Sequence, residues 1–206
     1  MNLLVDPLPT KVNIRGQAFA IHSDFYVGIL FELLMQDSTL TEPEKVSQAL
    51  SLYYPKIPTD IEGAIEAMLW FYRCGAEEKR GKGGGESGGR LQKAYCFEQD
   101  AELIYSAFYS QYHIDLCTVE GLHWWKFRAL FVGLSSDCEL KKIMGYRTAD
   151  LKGMGKEQRK LYEKMRKLYA LKNPRSVESS MSLAERDQRM KDYVARRFLE
   201  VQNEQE

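Results

Sequence analysis

One stretch constrains the fold more than any other. Residues 95–134 read YCFEQDAELIYSAFYSQYHIDLCTVEGLHWWKFRALFVGL, with two of the chain's three tryptophans adjacent at Trp124 and Trp125. Phe97, Ala101, Ile104 and Phe108 recur every three or four residues. So do Leu122, Trp125 and Ala129, with Phe127, Leu130 and Phe131 widening the second face. This spacing puts each set on one side of a helix. The expectation is two helices, the second from about Val119 to Val132, joined by residues 113–119 into an antiparallel hairpin with an aromatic seam. A helical aromatic stripe is core more often than a ligand platform. Phe97, Ile104, Phe108, Trp124, Trp125 and Phe127 are therefore read as structural core.

The rest of the chain reads as mainly α, a helical bundle with a small N-terminal β-hairpin and a Gly-rich linker. Short apolar alternation around Arg15-Gly16 in VNIRGQAFAI suggests the hairpin. Ser23 and Asp24 can cap a helix through Leu34. Thr41 with Glu44, Thr59 with Glu62, Ser136 with Glu139 and Ser182 with Glu185 fit the capping-box spacing. These open further helices, the third short and ending at Gly145. A basic helix follows over 156–171, with Leu161, Met165, Leu168 and Tyr169 on one face. A last helix carries an apolar stripe of Met190, Tyr193, Val194, Phe198 and Val201. Such a helix is not stable alone. It docks on the body, on a copy of itself or on a partner, and these five residues are the candidate partner-binding set.

Residues 75–90, GAEEKRGKGGGESGGR, hold seven glycines in sixteen positions. A phosphate loop would need a preceding strand and a Ser or Thr after Lys82, and Gly83 follows instead. The composition is that of a flexible linker. Along the sequence this gives an N-terminal part (1–74), a linker (75–92), an aromatic helical core (93–173), and a loose segment with a terminal helix (174–206).

Lys+Arg and Asp+Glu both total 29, so the net charge names no partner class by itself. Its distribution is uneven: residues 1–75 hold five basic and nine acidic groups, and residues 139–206 hold seventeen and eleven. The basic helix could in principle meet phosphates, but Glu157 and Glu163 interrupt it, and a solvated face is the preferred reading. Nucleic acid is not an expected partner. Three scattered histidines (His22, His113, His123) and four cysteines without a C-x-x-C suggest neither a catalytic constellation nor a metal site. The cysteines read as reduced, with a Cys74–Cys96 pair left open. No enzyme activity and no cofactor is expected. No leader pattern opens the chain, and no apolar run approaches the roughly 20 residues of a membrane span.

Acids and arginines set among so many apolar residues need partners, because an unpaired buried charge is costly. Arg128 and Arg147 are expected to pair with Asp100 or Asp115 and lock the hairpin to later helices.

CFEQDAELIYSAFYSQYHIDL, LHWWKFRALFVGL, the surroundings of Tyr146-Arg147 and Leu151, and EQRKLYEKMRKLYAL together resemble the gene-product-fifteen family of tailed phages of Gram-positive bacteria. HWWKFRALF is the most specific string. The resemblance implies a role in tail assembly, as a chaperone for the tape-measure protein encoded nearby or as a structural tail component. Residence in the host cytoplasm during assembly is expected, and the terminal helix leaves self-association as a further option. The resemblance brings no catalytic residues.

Overall fold

In the computed structural model, residues 2–76 and 93–172 are described. The fold is mainly α, as expected. A two-stranded antiparallel hairpin, β1 (Lys11–Ile14) and β2 (Gln17–Ala20), precedes α1 (Phe25–Gln36), α2 (Glu42–Tyr53) and α3 (Ile61–Tyr72). Then come α4 (Ala101–Tyr112), α5 (Trp124–Val132), α6 (Glu139–Thr148) and α7 (Lys156–Leu168).

The hairpin turns on Arg15-Gly16, both with positive φ (48° and 86°). That geometry matches the right-handed twist of the flanking strands. Val12 and Ile14 point the same way and are buried. A lone hairpin is marginal in water, and this one is held by joining the core.

Helix starts follow local capping chemistry, not always at the expected residue. Asp24 accepts from the Phe25 amide at the head of α1. Thr41 heads α2, where the Glu44 carboxylate accepts from both its amide and its hydroxyl at 2.7 Å. The Thr59–Glu62 box does not form, because Asp60 takes the cap and accepts from the Gly63 amide. Nor does Ser136 cap α6, whose N-cap residue is Cys138. Helix α6 runs past Gly145 to Thr148, since one helical Gly costs only about 1 kcal/mol and Arg147 anchors the last turn.

Two boundaries near the tryptophans move for a clear reason. Phe97 to Asp100 form a turn and α4 starts at Ala101. Helix α5 starts at Trp124, not at Val119. The residues ahead of it are extended and paired: the Phe25 amide donates to Leu122 O (2.9 Å) and the Trp124 amide to Ser23 O (2.7 Å). Asp24 and His123 thus form an isolated antiparallel bridge from which both α1 and α5 depart.

The expected antiparallel hairpin of α4 and α5 is also corrected. The Tyr112 hydroxyl donates to Leu130 O, and the Gln111 amide to Gly133 O, so the C-terminal ends of the two helices meet. An antiparallel pair would bring Tyr112 to the Trp124 end. Residues 113–123 carry the chain back, and eleven residues reach well beyond the roughly 13 Å length of α5.

Residues before and after the glycine-rich tract share one core. Phe31, Tyr53 and Phe71 pack in the same cluster as Phe97, Phe108, Trp124 and Phe127. Residues 77–92 and the segment from residue 173 lie outside the described residues.

Candidate functional site

Phe127 is the centre of the aromatic cluster. It is fully buried, with its ring stacked against Phe108 (4.9 Å between centroids), Phe25 (5.2 Å) and Trp124 (5.8 Å). Such offset contacts add about 0.5–1.5 kcal/mol each beyond area burial. Ile104, Phe97 and Trp125 are buried around it. Trp124 lies flat on Tyr72, and Trp125 meets Trp70 edge-on at 5.6 Å.

The adjacent indoles do more than fill space. The Trp124 Nε1–H donates to Tyr72 O and the Trp125 Nε1–H to Phe71 O, each at 2.8 Å. A helix leaves its last four carbonyls without intrahelical donors. In α3 the Arg73 and Gly75 amides satisfy Leu69 O and Trp70 O, and the two tryptophans reach the next two. One Trp-Trp dipeptide therefore caps a helix some 50 residues earlier in the chain. Helix α1 closes the other side. A Cβ on Gly28 would lie 2.3 Å from the Trp124 ring, so only Gly lets the α1 backbone approach this closely.

Beside the indole lies a half-buried polar cluster. The Tyr72 hydroxyl donates to Glu32 at 2.7 Å. The Arg128 guanidinium lies 5.5 Å from the Trp124 ring centroid, 3.3 Å from the Tyr95 hydroxyl and 3.7 Å from Glu32. Arg128 thus pairs with Glu32 of α1, not with Asp100 or Asp115. Asp115 instead accepts from the Cys117 amide. Burial pushes the Tyr72 and Tyr95 phenols and the Cys74 thiol upward. All three stay protonated near neutral pH; Tyr72 and Cys74 donate, and the Tyr95 hydroxyl accepts from Arg128. Nothing in the sequence pointed to Glu32, because it sits one turn from α1 residues that are plainly apolar.

Arg147 is placed differently. Its Nη1 and Nη2 donate to the two oxygens of Asp100 at 2.7 and 2.9 Å, its Nη1 to Ala94 O at 3.1 Å and its Nε to Tyr169 O at 2.7 Å. Asp100 also accepts from the Cys96 amide. One guanidinium therefore ties the chain ahead of α4 to α6 and to the end of α7.

His123 uses both ring nitrogens. Nδ1 accepts from the Trp125 amide, capping α5, and Nε2 faces Pro9 O at 3.0 Å. That pattern fixes the neutral tautomer with the proton on Nε2. Burial lowers its pKa. Cys74 and Cys96 are both free thiols. Among the described residues no three His, Cys, Asp or Glu side chains are grouped to hold a metal ion, and no helix is long and apolar enough to cross a membrane.

The candidate partner-binding residues Met190, Tyr193, Val194, Phe198 and Val201 lie outside the described residues. Within them, the outward-facing amphipathic element is α7, which has no buried residue. Tyr162, Met165 and Tyr169 turn partly inward, with Tyr146 of α6 packed edge-on to Tyr162 and stacked on Tyr169. Leu161 and Leu168, which the sequence placed with Met165, turn outward instead.

Together these features define a mainly α protein whose polar chemistry is turned inward to fix helix ends, and whose last described helix faces outward. The chain belongs to the bacteriophage Gp15 protein family, which it matches over residues 4–171. It is thus a phage protein of the structural or assembly class. Neither a curated protein nor a solved structure is similar enough to match it.

Proposed function

We propose that this chain is a non-enzymatic tail assembly protein that acts as a chaperone for the tape-measure protein in the host cytoplasm. A long, largely helical chain must be kept from aggregating until tube subunits wrap it. That task needs amphipathic helix faces rather than a pocket. The observation that carries the reading is α7, an amphipathic helix without one buried residue in a member of this family. The apolar stripe from Met190 to Val201 supplies a second such face in sequence.

The test is co-expression with the tape-measure protein of the same phage, followed by pull-down and light scattering. The expected result is a soluble complex that forms only when both chains are present. A tape measure that stays insoluble, with no association, overturns the reading. Detection of the protein in purified virions replaces the chaperone with a structural tail component.

A further inference from the structure

We propose that in the absence of a tape-measure chain, which would claim the same helix, α7 of one molecule docks on the outer face of α3 of a second copy of this chain. The two faces complement each other in charge, spacing and apolar content.

On α7, Leu161 and Leu168 are 49% and 67% exposed. Seven residues apart, they lie on one side of the helix. Lys160, Lys164 and Lys167 flank them, with Glu157 at the N-terminal end. None of these lysines has a hydrogen bond or ion pair among the described residues. Over 156–172 the chain carries seven basic and two acidic groups, and Glu163 is already taken by Arg159 at 2.9 Å.

On α3 the balance is reversed. Its only charged residues are Glu62 and Glu66, both exposed and both without an ion pair among the described residues. Trp70, 37% exposed, continues the row of Glu62 and Glu66 at four-residue spacing, as Leu168 continues the row of Lys160 and Lys164 on α7. The residues up to position 75 carry nine acidic and five basic groups. Helix α2 is less suited, because its Glu42 is paired with Lys45 at 3.1 Å.

Glu62 and Glu66 are one turn apart, as are Lys160 and Lys164, so both charge pairs repeat at about 6 Å along their axes. Laid side by side, the helices set Lys160 against Glu62 and Lys164 against Glu66 while Leu168 covers Trp70. The two faces are on different elements, so copies join head to tail into rings or filaments unless a twofold axis repeats the contact in both directions and closes a dimer. Two single-helix faces bury less than the roughly 1,200 Å² of a stable interface, so association is weak and concentration-dependent.

The experiment uses the full chain alone, by sedimentation velocity and light scattering over a hundredfold concentration range. The average mass is expected to rise above the monomer with concentration at 0.1 M salt. It should fall back at 1 M, where the screening length drops from about 10 Å to about 3 Å. Lys160→Glu with Lys164→Glu should abolish the rise, as should Glu62→Lys with Glu66→Lys. An equimolar mixture of the two variants should restore it. A monomer at every concentration overturns the proposal. In that case amine labelling tells which other occupant holds the face: protected lysines indicate a segment of the same chain, and reactive ones leave it to a different partner. Association that survives the α7 charge reversal overturns it equally.

Discussion

Arg147 and Asp100 meet through two parallel hydrogen bonds of 2.7 and 2.9 Å, and both are almost fully buried. The guanidinium fork fits a carboxylate in a way an ammonium cannot. Two further N–H groups reach Ala94 O and Tyr169 O. Removing one partner of such a pair leaves the other charge buried and alone, at about 3–5 kcal/mol. Arg147→Ala should therefore lower the urea midpoint and Tm substantially, and Arg147→Lys should recover only part of the loss. An unchanged Tm for Arg147→Ala would show that the pair does not hold the fold.

Gly28 gives a second expectation whose sign is not obvious. Replacing a helical Gly with Ala normally stabilises by up to about 1 kcal/mol. Here the new Cβ would sit 2.3 Å from a fully buried indole that is pinned by its bond to Tyr72 O. Overpacking of this kind costs about 1–3 kcal/mol. Gly28→Ala should lower the thermal midpoint, while Gly145→Ala, where nothing lies within 4 Å of the added Cβ, should raise it or leave it level.

The capping role of the tryptophans predicts an ordering between them. Tyr72 O has the Trp124 indole as its one strong donor, whereas Phe71 O also accepts from the Cys74 amide at 2.9 Å. Phenylalanine removes a similar volume at either site. Trp124→Phe leaves a half-buried carbonyl with only the distant Cys74 thiol as donor, which costs up to about 1–3 kcal/mol beyond the cavity. Urea denaturation should show Trp124→Phe as the more destabilising of the two. Equal losses would mean that packing alone accounts for the pair.

These relationships differ in how far the sequence announced them. The hairpin turn, the Asp24 cap and the Thr41–Glu44 box were legible because their chemistry is local, within four residues. The burial of Phe97, Ile104, Phe108, Trp124, Trp125 and Phe127 followed from periodicity. Periodicity does not encode direction, so the meeting of Tyr112 with Leu130 was not foreseen. It also does not mark where a helix must yield to an extended pairing, as Leu122 does to Phe25. Arg147 with Asp100 was within reach, since both charges sit in apolar surroundings. Arg128 with Glu32 was not, because the pairing spans 96 positions and competes with nearer acids. Of the candidate partner-binding surfaces, the sequence grouped Leu161 with Met165. The packing of α7 on Tyr146 separates them and turns only Leu161 and Leu168 outward.

His123 ties stability to pH. Its Nδ1 must stay unprotonated to accept from the Trp125 amide, and burial lowers its folded pKa below the usual 6.5. The unfolded chain therefore binds the proton more readily. The contribution is complete above pH 6.5 and is lost as pH falls from there toward the folded pKa, with a slope of at most about 1.4 kcal/mol per pH unit for one proton. His22, also lowered by burial, adds in the same direction. Between pH 7.5 and 5.5 the Tm should fall. His123→Asn keeps an N-cap acceptor but does not titrate, so its Tm should fall less steeply over that range. Its Tm at pH 7.5 should be somewhat lower, because the contact with Pro9 O is lost. Parallel pH profiles for the two proteins would remove His123 as the source and leave the slope to His22.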